Sequence, residues 1–300
     1  MPPQFHAVGD NLYEQFQAVR KALSEPTASY WSDLEIFNQL NQGQIFIAKK
    51  SNSLKKTVTV TTVASTAEYA LRDNSFGDII DISDDGVYFK INGSTLLPLN
   101  YKTKKILSRE SPGWRSVAAS TPRDYYYDKP SKTIGLYPKP NSTNAGAYLD
   151  VIGYYFPPIL LAGTASSGST TTIVLPAGSA TLQYPSVTDD YYNNIYIEIY
   201  SGTGAGQRAK ITDYVGSTRT CTATFTTAPD STSIFGMLSP LPPESHYLMP
   251  LYALWKVWPK GGSRTTLGRN YKQDFIEGLG AFIGETIEED DENLIKETYR

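Results

Sequence analysis

Histidine and cysteine are almost missing from these 300 residues: there are two of the first, His6 and His246, and one of the second, Cys221. A single cysteine excludes an internal disulfide framework and any cysteine-based zinc site. Two histidines leave general-base, triad and imidazole–metal chemistries short of their commonest ingredient. Long apolar runs are missing too, since no window approaches the roughly 20 apolar residues that a membrane helix requires. The opening, MPPQFHAVGDNLYEQF, has neither a basic flank nor an apolar stretch. No signal peptide is therefore expected, and synthesis is read as cytoplasmic. Net charge is only −3, too small to imply a nucleic-acid groove, which would need a concentrated basic surface. No GxxxxGK[ST] phosphate loop occurs.

What is present is a chain of 40% hydrophobic and 19% charged residues, able to bury a core. Its organising stretch is Ser239–Trp258. Pro242 and Pro243 can open a helix, where the first amides have no intrahelical partner. Tyr247, Leu248, Leu251, Tyr252, Leu254, Trp255 and Trp258 then recur at helical spacing. Pro250 is expected to bend this helix. So apolar a helix needs partners, and the other candidates lie far away in the chain. Asp10–Leu23 is amphipathic, with Asp10 as its cap and Pro26 past its end. Ser32–Lys50 begins with capping-box spacing, Ser32 to Glu35, and sets Ile36, Leu40, Gly43 and Ile47 on one face. Thr265–Gly284 carries Leu267, Tyr271, Phe275, Leu279 and Phe282 as a stripe.

Between the helices the period changes. Strands are expected at Thr57–Val63, Asp78–Ile82, Val87–Ile91, Ser94–Leu97, Gly113–Ala119 and Arg123–Tyr127, with turns at Asp85-Gly86 and Asn92-Gly93. Tyr101–Ser108 reads as helical or extended. Thr133–Tyr137 and Ala147–Tyr155 are expected to pair as a last hairpin. The turns are too short for crossover helices, so the section is read as antiparallel. From Gly163 to Phe235 the chain is rich in Ser, Thr, Gly and Tyr, with strands at Thr171–Leu175, Ile195–Ser201, Gln207–Val215 and Thr220–Phe225. The fold class is therefore α+β: a four-helix bundle formed by the N- and C-terminal segments, with an antiparallel β region and an inserted small all-β domain. The expected division is 1–162 plus 236–286 as core, 163–235 as insertion and 287–300 as tail.

Candidate chemistry is sparse. Ser201–Gln207, SGTGAGQ, invites a dinucleotide reading, but a strand follows it and not a helix, so the context favours a hairpin turn. Asp84-Asp85 and Asp189-Asp190 lack the twelve-residue loop of a calcium site and read as solvated turns. His246 is weighed as a packed or hydrogen-bonded helix residue, Cys221 as a small core filler. No catalytic residue, cofactor or metal site is expected. The tyrosine runs Tyr125-Tyr126-Tyr127 and Tyr191-Tyr192 place rings on both faces of strands, so they are either half-buried β residues or partner-facing aromatics. The acidic tail Glu285–Arg300 reads as extended, or helical only when bound. It is either a solvated terminus or a docking segment.

The order of Trp31-Ser-Asp-Leu-Glu-Ile-Phe, Asn41-Gln-Gly-Gln, Glu68-Tyr-Ala-Leu, Pro122-Arg-Asp-Tyr-Tyr-Tyr, Ile134-Gly-Leu-Tyr-Pro-Lys-Pro, Val151-Ile-Gly-Tyr-Tyr and Leu241-Pro-Pro-Glu-Ser-His resembles the head-to-tail adaptor (connector) proteins of tailed bacteriophages. Leu71-Arg72-Asp73 departs from the family's Leu-Pro-x-Asp, and 163–235 is not part of the basic adaptor. The resemblance implies a structural, non-enzymatic protein of the virion neck. It implies a homo-oligomeric ring, usually of twelve copies, between the portal protein and a tail or nozzle protein, with DNA passing non-specifically through the lumen and no membrane partner. On this reading Ile287, Leu294, Ile295, Tyr299 and Arg300 dock the tail on the portal. Tyr125, Tyr126, Tyr127, Tyr191 and Tyr192 are the candidate partner-facing aromatics. The alternative is a carbohydrate- or receptor-binding module on the tyrosine-rich insertion.

Overall fold

A computed structural model describes residues 11–71, 79–91, 95–179, 183–261 and 265–298. In chain order, helices α1 (Leu12–Leu23) and α2 (Asp33–Ser51) lead into strands β1 (Lys55–Thr61), β2 (Glu68–Ala70), β3 (Ile79–Ile91) and β4 (Thr95–Tyr101). Helix α3 (Lys104–Glu110) precedes β5 (Asp124–Asp128), β6 (Thr133–Tyr137) and β7 (Tyr148–Tyr155). Then come β8 (Ala162–Thr164), β9 (Ser167–Gly168), β10 (Thr172–Val174), β11 (Tyr196–Ser201), β12 (Arg208–Lys210), β13 (Asp213–Val215), β14 (Thr220–Thr222) and β15 (Ile234–Met237). Helices α4 (Leu248–Val257) and α5 (Thr265–Thr298) finish the described chain. The structure is mixed α/β.

The helix starts follow local chemistry. Ser32 caps α2 by accepting from the Glu35 amide at 3.2 Å, as its spacing predicts. The cap of α1 is Asn11, one residue later than the expected Asp10: its side chain accepts from the Glu14 amide at 3.0 Å. Pro250 does not bend the hub. A short 3-10 turn covers Pro243–Ser245 and α4 begins only at Leu248, so Pro250 sits in the first turn, where its missing amide breaks no intrahelical bond. Helix α5 runs through the expected break near Gly284 to Thr298. After Gly284 the sequence has no glycine or proline to stop it.

The chain divides into two compact units. One gathers the chain up to Ser53 and from Pro157 onward. Here α4 packs against α1, α2 and α5. Phe16 and Phe37 stack at 4.4 Å, Trp31 and Trp258 meet edge-on at 5.8 Å, and Trp31 Nε1 donates to the Val257 carbonyl at 3.1 Å. Segments more than 200 residues apart thus share one core, as the hub demanded. Gly43 lets α2 come close to α4: a Cβ there would lie 3.2 Å from the Tyr252 Cβ. The same unit holds two four-stranded sheets, β13-β14-β10-β9 and β12-β11-β15-β8. Strand β15 packs against α1 and pairs with both β8 and β11, so 163–235 shares its contacts with the helices. The expected cuts at 163 and 235 are not where this division falls.

The other unit runs between Leu54 and Phe156 and centres on a seven-stranded sheet, β1-β7-β3-β4-β5-β6-β2. The expected hairpin of Thr133–Tyr137 with Ala147–Tyr155 does not form. Strand β6 pairs with β5 and β2, and β7 with β1 and β3. Asp78–Ile82 and Val87–Ile91 are not separate strands around an Asp85-Gly86 turn either. They belong to one strand, β3, with an irregularity between Ile82 and Val87 where Gly86 takes φ +88°. Strands β4 and β5 are parallel, since α3 lies between them. Gly113–Ala119, expected as a strand, contains a 3-10 turn at Trp114–Ser116. The Asn92-Gly93 turn lies outside the described residues.

Gly135 is the tightest point of this sheet. The Tyr126 ring lies across it, and a Cβ would fall 1.9 Å from the ring's Cζ. That ring cannot retreat, because it meets Trp114 edge-on at 5.3 Å and its hydroxyl donates to Glu68 at 2.9 Å. Gly135→Val should therefore destabilise the β unit by about 3 kcal/mol, the upper end for overpacking. Thermal unfolding checks this, and an unchanged melting temperature would contradict the packing.

Candidate interaction surfaces

Of the residues considered for chemistry, Asp84 and Asp85 have side chains outside the described residues, and the others are engaged structurally. His246 Nε2 lies 2.8 Å from the Leu241 carbonyl and holds the turn before α4. Cys221 is buried in β14, and burial pushes its thiol well above the ordinary range, so it is no nucleophile at neutral pH. Ser201–Gln207 is the β11–β12 turn, with Gly202, Gly204 and Gly206 at φ +81° to +83°. Gln207 ties it down by bonding the Gly204 and Thr227 backbones. Asp189 accepts from the Gly216 amide at 2.8 Å, and Asp190 is bonded by Asn193 at 2.7 Å, as turn residues do.

The tyrosine runs are mostly interior, which corrects the expectation that they face a partner. Strand β5 lies between β4 and β6 with both of its faces covered. Tyr125 belongs to the main apolar cluster and Tyr127 packs against it. Tyr126, 2% exposed, sits on the opposite face with Leu107, Trp114 and Tyr137. Burial and the neighbouring Glu68 carboxylate hold its phenol protonated. Tyr192 packs edge-on against Tyr214 at 4.7 Å, and its hydroxyl accepts from the Ser186 amide. Tyr191, half-buried, accepts from the Ile159 amide at 3.0 Å. Among the described residues the tyrosine rings that do reach solvent are others: Tyr101 and Tyr148 in the β unit, and Tyr30, Tyr184, Tyr196 and Tyr200 in the helical unit, with Tyr184 69% exposed. Tyr196 and Tyr200 occupy the exposed phase of β11, which the alternation of its apolar residues could have revealed.

Of the tail anchors, Ile287, Leu294 and Ile295 lie on α5, but their side chains are outside the described residues, as are Tyr299 and Arg300 altogether.

The side chains that do converge were read in the sequence only as part of a motif. Asn41 and Gln44 stand one turn apart on the buried face of α2. Asn41 Oδ1 accepts from the Leu160 amide at 2.7 Å, and its Nδ2 donates to the carbonyls of Leu160 at 3.0 Å and Phe37 at 3.2 Å. Gln44 Nε2 donates to Asn41 Oδ1 at 2.9 Å and to the Pro158 carbonyl at 2.8 Å. Ser239 Oγ completes the chain by donating to Gln44 Oε1 at 3.1 Å and accepting from the Leu241 amide. Two amide side chains thereby hold both strands of backbone that connect 163–235 to the helices. Such a network is stable only when fully paired, and it fixes the direction in which the chain leaves and returns. The signal in the sequence was two amides beside Leu40 and Gly43 on a face otherwise apolar.

A second buried cluster joins α1 to α2. Arg20, 1% exposed, lies between Asp33, at 3.1 Å from its Nε, and Glu25, at 3.2 Å from its Nη1. Glu25 also accepts from the amides of Tyr30 and Trp31.

Among the described residues no three His, Cys, Asp or Glu side chains cluster as metal ligands. Among the same residues no helix is long and apolar enough to cross a membrane. A family model described as SU10 adaptor protein matches residues 11–186, more than half of the chain. No curated protein matches.

Proposed function

The chain belongs to the SU10 adaptor protein family of phage head–tail adaptors, which makes it a structural component of the virion, and from that premise we propose that it forms a ring in the neck joining the portal to the tail. DNA passes through the lumen without sequence readout. The family match carries this reading. A net charge of −3 supports it, because a lumen without a basic surplus does not grip phosphates. A ring requires two different faces of each copy to meet head to tail. The reading of α1, α2, α4 and α5 as a bundle, and of the acidic α5 end as the portal contact, belongs to the same proposal.

The test is a mixture of the purified chain with its portal ring, measured by light scattering and imaged. A ring of copies seated on the portal is the expected result; a chain that stays monomeric beside the portal overturns it. Removal of 285–300 should abolish docking while the remaining helices keep their circular dichroism. Docking that survives the deletion would place the contact elsewhere.

The family match stops at residue 186, and Tyr196 and Tyr200 reach solvent beyond it. That observation keeps a second reading, a glycan- or receptor-binding surface on 163–235. Binding of glycans by the monomeric chain, lost in a Tyr196→Ala and Tyr200→Ala double variant, would favour it.

A further inference from the structure

The seven-stranded sheet has β1 at one edge, and among the described residues no strand lies beyond it. Its hydrogen-bonding phase follows from the ends. Leu54 accepts from the Tyr155 amide at 3.0 Å, and the Thr62 amide donates to Ala147 at 2.8 Å. Even-numbered residues therefore face β7, and the odd ones, Lys55, Thr57, Thr59 and Thr61, turn their backbone N–H and C=O groups outward. The side chains of the same four residues are exposed, while Val58 and Val60 point to the core.

A seven-residue edge is a template for another strand, and proteins that stay apart interrupt such edges with a proline, a bulge or an inward charge. Strand β1, KKTVTVT, has no proline, and its pairing with β7 is regular from Lys55 to Thr61. Its only charges are the two lysines at one end.

We propose that in the free protein this edge is covered by β1 of a second copy, antiparallel and two-fold symmetric about Val58. In that register every outward residue meets an outward residue: Thr57 opposes Thr59 of the second copy, and Lys55 opposes Thr61. Thr–Thr pairs are favourable cross-strand neighbours, and no lysine opposes a lysine. Sliding the strands by two residues toward their N-termini, to a two-fold about Thr57, brings Lys55 opposite Thr59 and leaves Thr61 unpaired, so the register about Val58 is the one that uses the whole edge. The contact is isologous and closes on a pair of copies, unlike the head-to-tail contact of a ring. It keeps unassembled copies from stacking edge to edge, and it must open before β1 can be used otherwise.

The full-length chain, without portal, is examined by light scattering over a concentration series. A dimer is expected. Thr57→Pro removes an outward N–H that bonds nothing among the described residues, and the Thr57→Lys and Thr59→Lys double variant sets lysine against lysine. Either change should weaken the dimer roughly tenfold or more, with circular dichroism and thermal unfolding of the monomer unchanged. A wild-type monomer at all concentrations overturns the inference, and so does a dimer, or a ring, whose mass neither variant alters. In the last case the ring reading stands while this one falls.

Discussion

Asn41→Leu should cost the helical unit about 4 kcal/mol, because it leaves the buried Leu160 amide and carbonyl without partners at about 1–3 kcal/mol each and strips Gln44 of one acceptor. The leucine is close in volume, so the loss comes from unmet polar groups and not from a cavity. Denaturant midpoints measure it, and hydrogen exchange at Leu160 locates it. A loss below about 1 kcal/mol would mean that water enters and replaces the amide. Asn41→Asp adds a signature that a packing role alone would not give. An aspartate still accepts from the Leu160 amide, but when ionised it faces the carbonyls of Leu160 and Phe37. Its destabilisation should therefore grow as pH rises through the carboxylate range. A pH-independent deficit would contradict the assignment.

Arg20→Leu is the second large effect, at about 3 kcal/mol. Breaking a buried pair costs about 3–5 kcal/mol because the partner's charge is left behind, and here the low end applies since Asp33 is 40% exposed and keeps its water. Arg20→Lys should recover little. One ammonium cannot reach Asp33 and Glu25 together as the planar fork does. The same cluster sets an acid limit. Burial raises the Glu25 carboxyl, but the amides of Tyr30 and Trp31 and the charge of Arg20 outweigh it, and the net shift is downward. A carboxylate whose folded pKa is depressed contributes stability that is present above its ordinary pKa and is lost as pH falls toward the folded value. Wild-type stability should therefore fall below about pH 4.5, the ordinary glutamate value, and Glu25→Gln should flatten that part of the profile. A Gln variant with the same acid dependence as the wild type would remove Glu25 from the account.

Much of the helical unit was legible in the chain. Ser32 and Glu35 announced α2, and the apolar spacing of Tyr247–Trp258 required distant partners, of which Trp31 is one. Pro250 departs from the expected bend because a proline bends a helix only if the helix has begun well before it. Pro243–Ser245 formed a separate 3-10 turn, which residue spacing alone does not distinguish from the helix start. The tyrosine runs left two readings open for a related reason. Alternation tells which residues share a face of β5 but not whether that face is covered, and here the apolar cluster covers one side and the group around Trp114 covers the other.

By itself the sequence determined local states and obligations: where helices start, which strands alternate, that the hub must be buried, that catalysis by histidine or cysteine lacked material. These follow from the backbone and nearest neighbours, whose interactions act over a few residues. Tertiary structure alone decided strand partners, and with them the replacement of the Thr133–Tyr137 hairpin by the order β1-β7-β3-β4-β5-β6-β2. It also decided the use of Asn41 and Gln44 to hold Pro158, Leu160 and Ser239, more than a hundred residues away. A hydrogen bond or a strand pair depends on which groups meet in space, and many pairings satisfy the same pattern of polar and apolar residues. Only the packed chain selects one of them.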